Sequence, residues 1–455
     1  MVRWISPQED DAAMLSELGI SSVEELFRDI PKKARMKKIG LGAPLEEEEI
    51  ATEVERLLSR NRPLADFDSF LGGGLYSRYS NAMVDGIIQR SEFYTAYTPY
   101  QPEASQGTLQ SLFEFQSLWI ELTNMEVANA SLYDGATAMG EALLMASRLH
   151  EGRRFLVPAS LFWERKSVLA NYARGLGAEI VEIPWLPSTG QLDADFIERE
   201  AKKDCFGVLV EYPDSFGLLQ ESLPSLKPRI GNVPLVVSAD PLSLALLEPP
   251  GSWGADIVVG EGQGFGAPLS YGGPLLGLMA CRRAGVRQLP GRVVGATKDR
   301  DGRRAFTLTL QTREQHIRRS KATSNVCTNN SLVAIAFLVY ATTLGPSGLR
   351  RVALSLSEKA HRLAEALKGV KGLRAPLFSS PFLTDFVVGV EGVKAGDFLA
   401  AMAKRGILAG TLLDDPRPAA KPLPFQGYLT SVDWRTDDKS IARYAKEAAD
   451  EREGA

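Results

Sequence analysis

The chain has 455 residues, 44% of them hydrophobic and 24% charged, the balance of an ordinary soluble globular protein. That length calls for a large domain with smaller ones attached. A net charge of −4 and a pI near 5.7 give no support for a nucleic-acid partner. Cys205, Cys281 and Cys327 are far apart and form no CxxC pair, and His150, His316 and His361 do not pair at helical spacing, so neither a disulfide framework nor a metal site is expected.

The first residues, Met1 to Asp11, lack an apolar signal core and are acidic. The longest apolar run, Val333 to Tyr340 and on to Leu344, is too short to span a bilayer and reads as a buried helix. A cytoplasmic chain without a membrane partner is expected. Residues 1 to about 65 read as polar helices. Ser21 to Glu24 has capping-box spacing, and Glu46 to Arg60 is a charged amphipathic helix. These segments are too polar to form a core alone, so they are predicted to lie over the main domain. Leu71-Gly72-Gly73-Gly74-Leu75 breaks the pattern. An aromatic loop follows, with Tyr94, Tyr97 and Tyr100 around Pro99. It is either a hydrophobic staple on the next helix or a rigid wall of a substrate site with hydroxyl donors. Ser105 is placed to cap that helix, where Leu109, Leu112, Phe113, Trp119 and Ile120 recur at helical spacing.

From about 125 to 285 short apolar runs alternate with amphipathic helices: Phe155–Val157, Ile180–Ile183, Val208–Val210, Val236–Val237 and Ile257–Val259. The alternation predicts a mainly parallel sheet with crossover helices. Ahead of these runs, between an apolar run and a good helix, Tyr133-Asp134-Gly135-Ala136-Thr137 has the form of a strand–loop–helix junction. Such a junction holds a phosphate on backbone N–H groups, or is an ordinary turn capped by Asp134 or Thr137; alone, the segment favours the turn. Asp240 ends one apolar run, and Gln263 stands in the polar turn after the next. This layout resembles pyridoxal-phosphate enzymes of the aspartate-aminotransferase fold. There the Asp pairs with the pyridinium nitrogen and a Lys in the later turn forms the Schiff base. Gln has no amine basic enough for that bond, so the chain reads as such a scaffold without its lysine.

Gly262-Gln263-Gly264-Phe265-Gly266-Ala267 also matches a dinucleotide-binding pattern, but Pro268 and the Gly272-Gly273-Pro274 stretch oppose the helix that pattern requires. Gln288 to Gly295 ends the alternating region. The basic run from Arg313 to Lys321 reads as a solvated helix face, and Thr323, Ser324 and Asn325 after it offer short groups to an anion. Ser355 to Lys368 is an amphipathic helix ended by Gly369. Strand signals at Phe386–Val390 and Leu429–Val432 predict a C-terminal α+β domain.

Together these segments resemble the α subunit of the glycine cleavage system P-protein. The motifs are Tyr97-Thr98-Pro99-Tyr100-Gln101-Pro102-Glu103, Ser105-Gln106-Gly107, Tyr133 to Thr137, Gly260 to Gln263, Tyr271 to Pro274, Pro290-Gly291-Arg292, and the long run Leu308 to Arg319 ending in Lys321-Ala322-Thr323-Ser324-Asn325. The resemblance covers nearly the whole chain. One departure stands after Pro158-Ala159-Ser160, where Phe162-Trp163 replaces the family's usual His-Pro pair.

The resemblance implies a fold-type-I pyridoxal-phosphate scaffold in an αβ pair, dimerised to α2β2. The β subunit would carry the Schiff-base lysine and the pyridoxal 5'-phosphate. The complex would decarboxylate glycine and pass the aminomethyl group to the lipoyl arm of the H-protein. Ser324 and Asn325 would reach the β-subunit cofactor phosphate, and Tyr97, Tyr100 and Gln101 would line the substrate side. Gly135, Thr137, Asp240 and Gln263 would mark a vestigial pocket. The expected domains are an N-terminal arm over 1–95, a large α/β domain over 96–345 and a small α+β domain over 346–455. The rival readings are a structural or regulatory paralogue without an active-site role, and a self-sufficient pyridoxal enzyme using Lys166 or Lys321.

Overall fold

In a computed structural model the structure describes residues 8–36, 40–323, 325–326, 328–414 and 423–454. The chain divides into two compact units, Met1–Pro63 and Leu64–Ala455.

In the first unit, helix α1 spans Gln8–Glu17 and α2 spans Glu47–Leu58. The backbone N–H of Glu46 donates to Glu49 at 3.0 Å, closing the first turn of α2. No residue of α2 is buried, and Ile50, Val54, Leu57 and Leu58 are exposed. The capping box expected from Ser21 to Glu24 takes another form. The N–H and hydroxyl of Ser21 both go to Glu25, and the segment Val23–Phe27 is a 3-10 turn rather than an α-helix. Four-residue reach fits the carboxylate back onto Ser21, and the tight turn leaves nothing buried.

The second unit is built on a seven-stranded sheet. Its strands are β1 (Val127–Ala128), β2 (Arg154–Pro158), β3 (Glu179–Ile183), β4 (Cys205–Tyr212), β5 (Leu235–Ala239), β6 (Ile257–Glu261) and β7 (Gly277–Cys281). The order is β1-β7-β6-β5-β4-β2-β3. Pairings from β3 to β6 are parallel, and β7 runs antiparallel to β6. Burial on both faces explains why β4 is buried along its whole length and reads as a continuous apolar run. Helix α3 (Gln106–Thr123) precedes the first strand, and α4 (Gly135–Leu149), α5 (Trp163–Leu176) and α6 (Ala194–Ala201) connect successive strands. Ser105 holds the N-cap position of α3, as its placement suggests, although its side chain makes no cap hydrogen bond.

Helix α7 runs from Ser331 to Lys368, joining two stretches that read separately in the sequence. Gly345 interrupts it at φ 62° and ψ 178°, and Pro346 opens the second half, a first-turn position that proline tolerates. The apolar first half is buried through Val333, Ala334, Phe337 and Tyr340. Phe337 stacks on Phe265 at 4.5 Å, which ties α7 to the turn after β6. Strands β8 (Leu373–Arg374), β9 (Asp385–Val390), β10 (Thr411–Leu412) and β11 (Gly427–Ser431) form an antiparallel sheet with helices Ala395–Lys404 and Asp438–Glu453.

Candidate functional site

The parallel sheet brings Asp240 and Gln263 to the same end. Asp240 directly follows β5, and Gln263 stands two residues beyond its parallel neighbour β6. Loops at the carboxyl ends of parallel strands are where α/β folds build sites. In this chain the ends are already satisfied by protein groups.

Arg78 Nη2 lies 3.1 Å from each carboxylate oxygen of Asp240. The Arg78 side chain is almost fully buried and lies over the Tyr76 ring at 4.7 Å. Gln263, 1% exposed, accepts from the Tyr76 N–H at 3.1 Å. Its amide donates to the carbonyls of Tyr76 at 3.2 Å and Ala267 at 2.7 Å. The Tyr76 hydroxyl donates to Asp385 at 3.2 Å.

The N-terminus of α4 is filled in the same way. Glu261 accepts from the Gly135 N–H at 2.8 Å, and also from the backbones of Gln263 and Leu276. Burial pushes its carboxyl up to about 7, against the pull of those three donors. Asp134 caps Thr137 N at 2.8 Å, and the Thr137 hydroxyl donates back to the Asp134 carbonyl. The capped-turn reading of this junction therefore describes its local contacts.

A cavity of about 250 Å³ remains beside these groups, lined in part by Gly74, Gly135, Phe162, Arg165 and Glu261. Phe162, the departure from the expected His-Pro pair, lies under the Arg165 guanidinium at 5.5 Å, and Arg165 pairs with Glu211 at 2.6 Å. Gly74 has φ 98°, and a Cβ there would run into that guanidinium. The glycine-rich break at 72–74 is thus a close approach of the backbone to the cavity. The lysines of the self-sufficient alternative are elsewhere engaged or exposed. Lys166 donates to the Ala159 carbonyl and to Glu182, and Lys321 is exposed.

Pyridoxal phosphate does not fit this pocket. The carboxylate that would face a pyridinium nitrogen is held by Arg78, the Schiff-base position is a buried Gln clamped to backbone, and Glu261 takes the first N–H at the helix N-terminus. A phosphate dianion would be set directly against the Glu261 carboxylate.

None of Tyr97, Tyr100, Gln101 and Asn325 lines that cavity. Tyr97 is 77% exposed and Gln101 is also exposed. Tyr100, half-exposed, lines a cavity of about 310 Å³ with Glu314, Gln315, His316 and Val326. Asn325 is exposed next to Val326; Ser324 lies outside the described residues. Tyr100 and the segment around Asn325 are therefore brought together, while Tyr97 and Gln101 are not in the cavity wall.

The basic run differs from the expected solvated face at one position. Arg313 is buried, and donates to the carbonyls of Leu289, Gly291 and Leu310. A buried guanidinium needs such acceptors, and the turns around Pro290-Gly291 supply them. Arg78 and Tyr76 carry no periodicity or spacing that marks them, and only the Gly72–Gly74 break points to their neighbourhood; Glu261 and Arg292 stand inside the Gly260–Gln263 and Pro290-Gly291-Arg292 motifs, which give them no role.

The family model described as "Glycine cleavage system P-protein" matches residues 2–411. A protein of Moorella thermoacetica, "Probable glycine dehydrogenase (decarboxylating) subunit 1", is 44% identical over 402 residues, 87% of this chain and 88% of the relative. The chain belongs to the glycine cleavage system P-protein family. A relative of the same description from Thermococcus kodakarensis is 49% identical over 347 residues, 74% of this chain and 75% of its own. A crystal structure of glycine decarboxylase (P-protein), in inhibitor-bound form, matches with a TM-score of 0.88 and 38% identity, covering 99% of this chain and 100% of that one. A cysteine desulfurase from Thermococcus onnurineus matches at TM-score 0.63 and 15% identity, over 91% of this chain and 100% of its own, which supports the fold alone. The architecture is that of fold-type-I pyridoxal-phosphate enzymes.

Proposed function

We propose that this chain is the non-cofactor-binding α subunit of a two-subunit glycine dehydrogenase (decarboxylating), acting in glycine cleavage. Its relatives carry that activity and the designation subunit 1 in their descriptions. The observation that carries the division of labour is the contact of Arg78 with Asp240, beside a Gln at the lysine position. A chain whose own pocket is closed to the cofactor contributes to a pyridoxal-phosphate enzyme by completing a site elsewhere.

In this reading the second subunit carries the cofactor on its lysine, the pair dimerises to α2β2, and the lipoylated H-protein receives the aminomethyl group. The residues of this chain that serve the shared site are Tyr97, Tyr100 and Gln101 on the substrate side and Ser324 and Asn325 toward the cofactor phosphate. Three aspects of the structure support the choice. Tyr97, Tyr100 and Asn325 are exposed. Tyr100 and Val326 share one cavity wall. The hydroxyl and amide groups are uncharged donors, suited to an anionic substrate or phosphate. The proposal includes a cytoplasmic location.

The test is reconstitution. Purified alone with pyridoxal phosphate, the chain is expected to be colourless and inactive. Mixed with the second subunit and lipoylated H-protein, it should support glycine-dependent CO2 release that neither subunit gives alone. Full activity of the second subunit by itself would favour a structural or regulatory paralogue.

A further inference from the structure

Arg292 belongs to the Pro290-Gly291-Arg292 motif, and none of the roles above uses it. It is 5% exposed, too deep to touch a substrate from outside. Its Nη2 donates to the Tyr100 hydroxyl at 2.9 Å, and the guanidinium lies 5.2 Å from the Tyr100 ring centroid. Its Nη1 reaches Asn329 Oδ1 at 3.3 Å.

The chemistry of this contact has a direction. A guanidinium has donors and no acceptor, so the Tyr100 oxygen must accept from it. The hydroxyl proton of Tyr100 cannot then point at Arg292. It is left to donate away from the buried side, toward the open face where Tyr100 is half-exposed. The His316 ring stands edge-on to the Tyr100 ring at 6.1 Å and limits where that ring can swing.

Of these two partners, Asn329 has further contacts to the backbone and to Ser131, donating to the Ala130 carbonyl at 2.6 Å and Ser131 Oγ at 3.0 Å. The Tyr100 hydroxyl has Arg292 as its charged partner.

We infer that Arg292 is a positioning residue that fixes Tyr100 as a hydrogen-bond donor to an anionic oxygen in the shared site. The inference rests on the reading that Tyr100 faces the substrate side. The acceptor chemistry is a carboxylate or phosphate oxygen, which in this enzyme means the glycine carboxylate or the cofactor phosphate.

The experiment is a double-mutant cycle on the reconstituted two-subunit enzyme with lipoylated H-protein, using Y100F, R292Q, R292K and Y100F/R292Q. Assembly is checked for each by size-exclusion chromatography. Y100F is expected to lose roughly ten- to a hundredfold in kcat/KM, the worth of one hydrogen bond to a charged group. R292Q should lose a similar factor, because an amide can present an acceptor to Tyr100 and release its polarity. R292K, which keeps a donor only, should stay closest to the parent. In the Y100F background R292Q should add little. A loss seen as raised KM for glycine assigns the acceptor to the substrate carboxylate, and a loss seen as weaker pyridoxal-phosphate binding assigns it to the phosphate. The inference is overturned if R292Q costs the same factor with and without the Tyr100 hydroxyl, if it costs nothing while Y100F is impaired, or if R292K and R292Q both fail to assemble. An unimpaired Y100F would instead remove Tyr100 from the shared site, and the reading beneath the inference with it.

Discussion

Arg78 sets one guanidinium nitrogen 3.1 Å from both carboxylate oxygens of Asp240, at the end of the strand that in this fold faces a cofactor ring. Gln263 is clamped to Tyr76 and Glu261 accepts from the Gly135 N–H, so Asp240, Gln263 and the first N–H of α4 each have a protein partner. The closure is made by three separate contacts, so undoing one leaves two.

Restoring the lysine alone should therefore fail. Gln263→Lys removes three hydrogen bonds to backbone and puts an ammonium into a site that is 99% covered, at a cost of about 2–4 kcal/mol. The isolated variant is expected to melt several degrees lower, to stay colourless with pyridoxal phosphate and to release no CO2 from glycine. Spectral titration and calorimetry check this. A coloured, active variant would show that the pocket remains open.

The buried carboxyls give the chain a pH signature. Burial pushes Asp214 and Glu261 each up to about 7, with the Glu211 charge adding to the rise at Asp214. A carboxyl with a raised folded-state value holds its proton longer in the native state than in the unfolded chain. Its stabilisation is complete below about pH 4 and is lost as pH rises toward about 7. Each group contributes on the order of 3–4 kcal/mol over that window. Denaturant midpoints measured from pH 4.5 to 7.5 should fall, and Asp214→Asn or Glu261→Gln should each flatten the slope. An unchanged slope in both variants would remove these groups as its source.

The unequal legibility of this chain has physical causes. The central strands could be read because burial on both faces demands unbroken apolar runs, as in Val208–Val210 and Ile257–Val259. Asp240 and Gln263 could be placed because strand ends fix loop positions. Arg78 could not, since its meaning depends on a partner 162 residues away in the chain. Arg313 was misread for a related reason. A charged side chain reads as solvated until the carbonyls that accept from it are known, and those of Leu289 and Gly291 come from another segment. The two stretches of Ser331–Lys368 read as separate helices because Gly345 leaves the helical conformation and Pro346 opens a new first turn, and the structure keeps that break.

Exposed aromatic and apolar side chains should make the chain depend on a partner. Tyr94, Tyr97, Tyr271 and Ile317 are each at least half exposed. An interface of the obligate kind buries beyond ~2,000 Å². The isolated chain is expected to self-associate or to melt below the complex, and Tyr97→Asp should weaken pairing with the second subunit. Analytical ultracentrifugation of both forms decides it. A stable monomer whose melting temperature ignores the second subunit would count against an obligate pair.

The loop at Asn325 makes a cofactor prediction. Each charge-assisted hydrogen bond to a phosphate contributes about 1.5–3 kcal/mol. Replacing Ser324 and Asn325 together by Ala should weaken pyridoxal-phosphate binding by the reconstituted complex by roughly one to four orders of magnitude, if the terms add. Fold and assembly should be kept, because both side chains are small. Cofactor titration by absorbance reads the change, and an unaltered affinity in an assembled double variant would take this loop out of the site.

The location of the cofactor is the most direct measurement. Borohydride reduction fixes pyridoxal phosphate to whichever lysine holds it, and mass spectrometry of the separated subunits then finds the label. The expected result is one pyridoxyl group on the second subunit for each pair and none on this chain, with Gln263 and its neighbours unmodified. A pyridoxyl group on any lysine of this chain would contradict a closed pocket, and with it the division of labour between the two subunits.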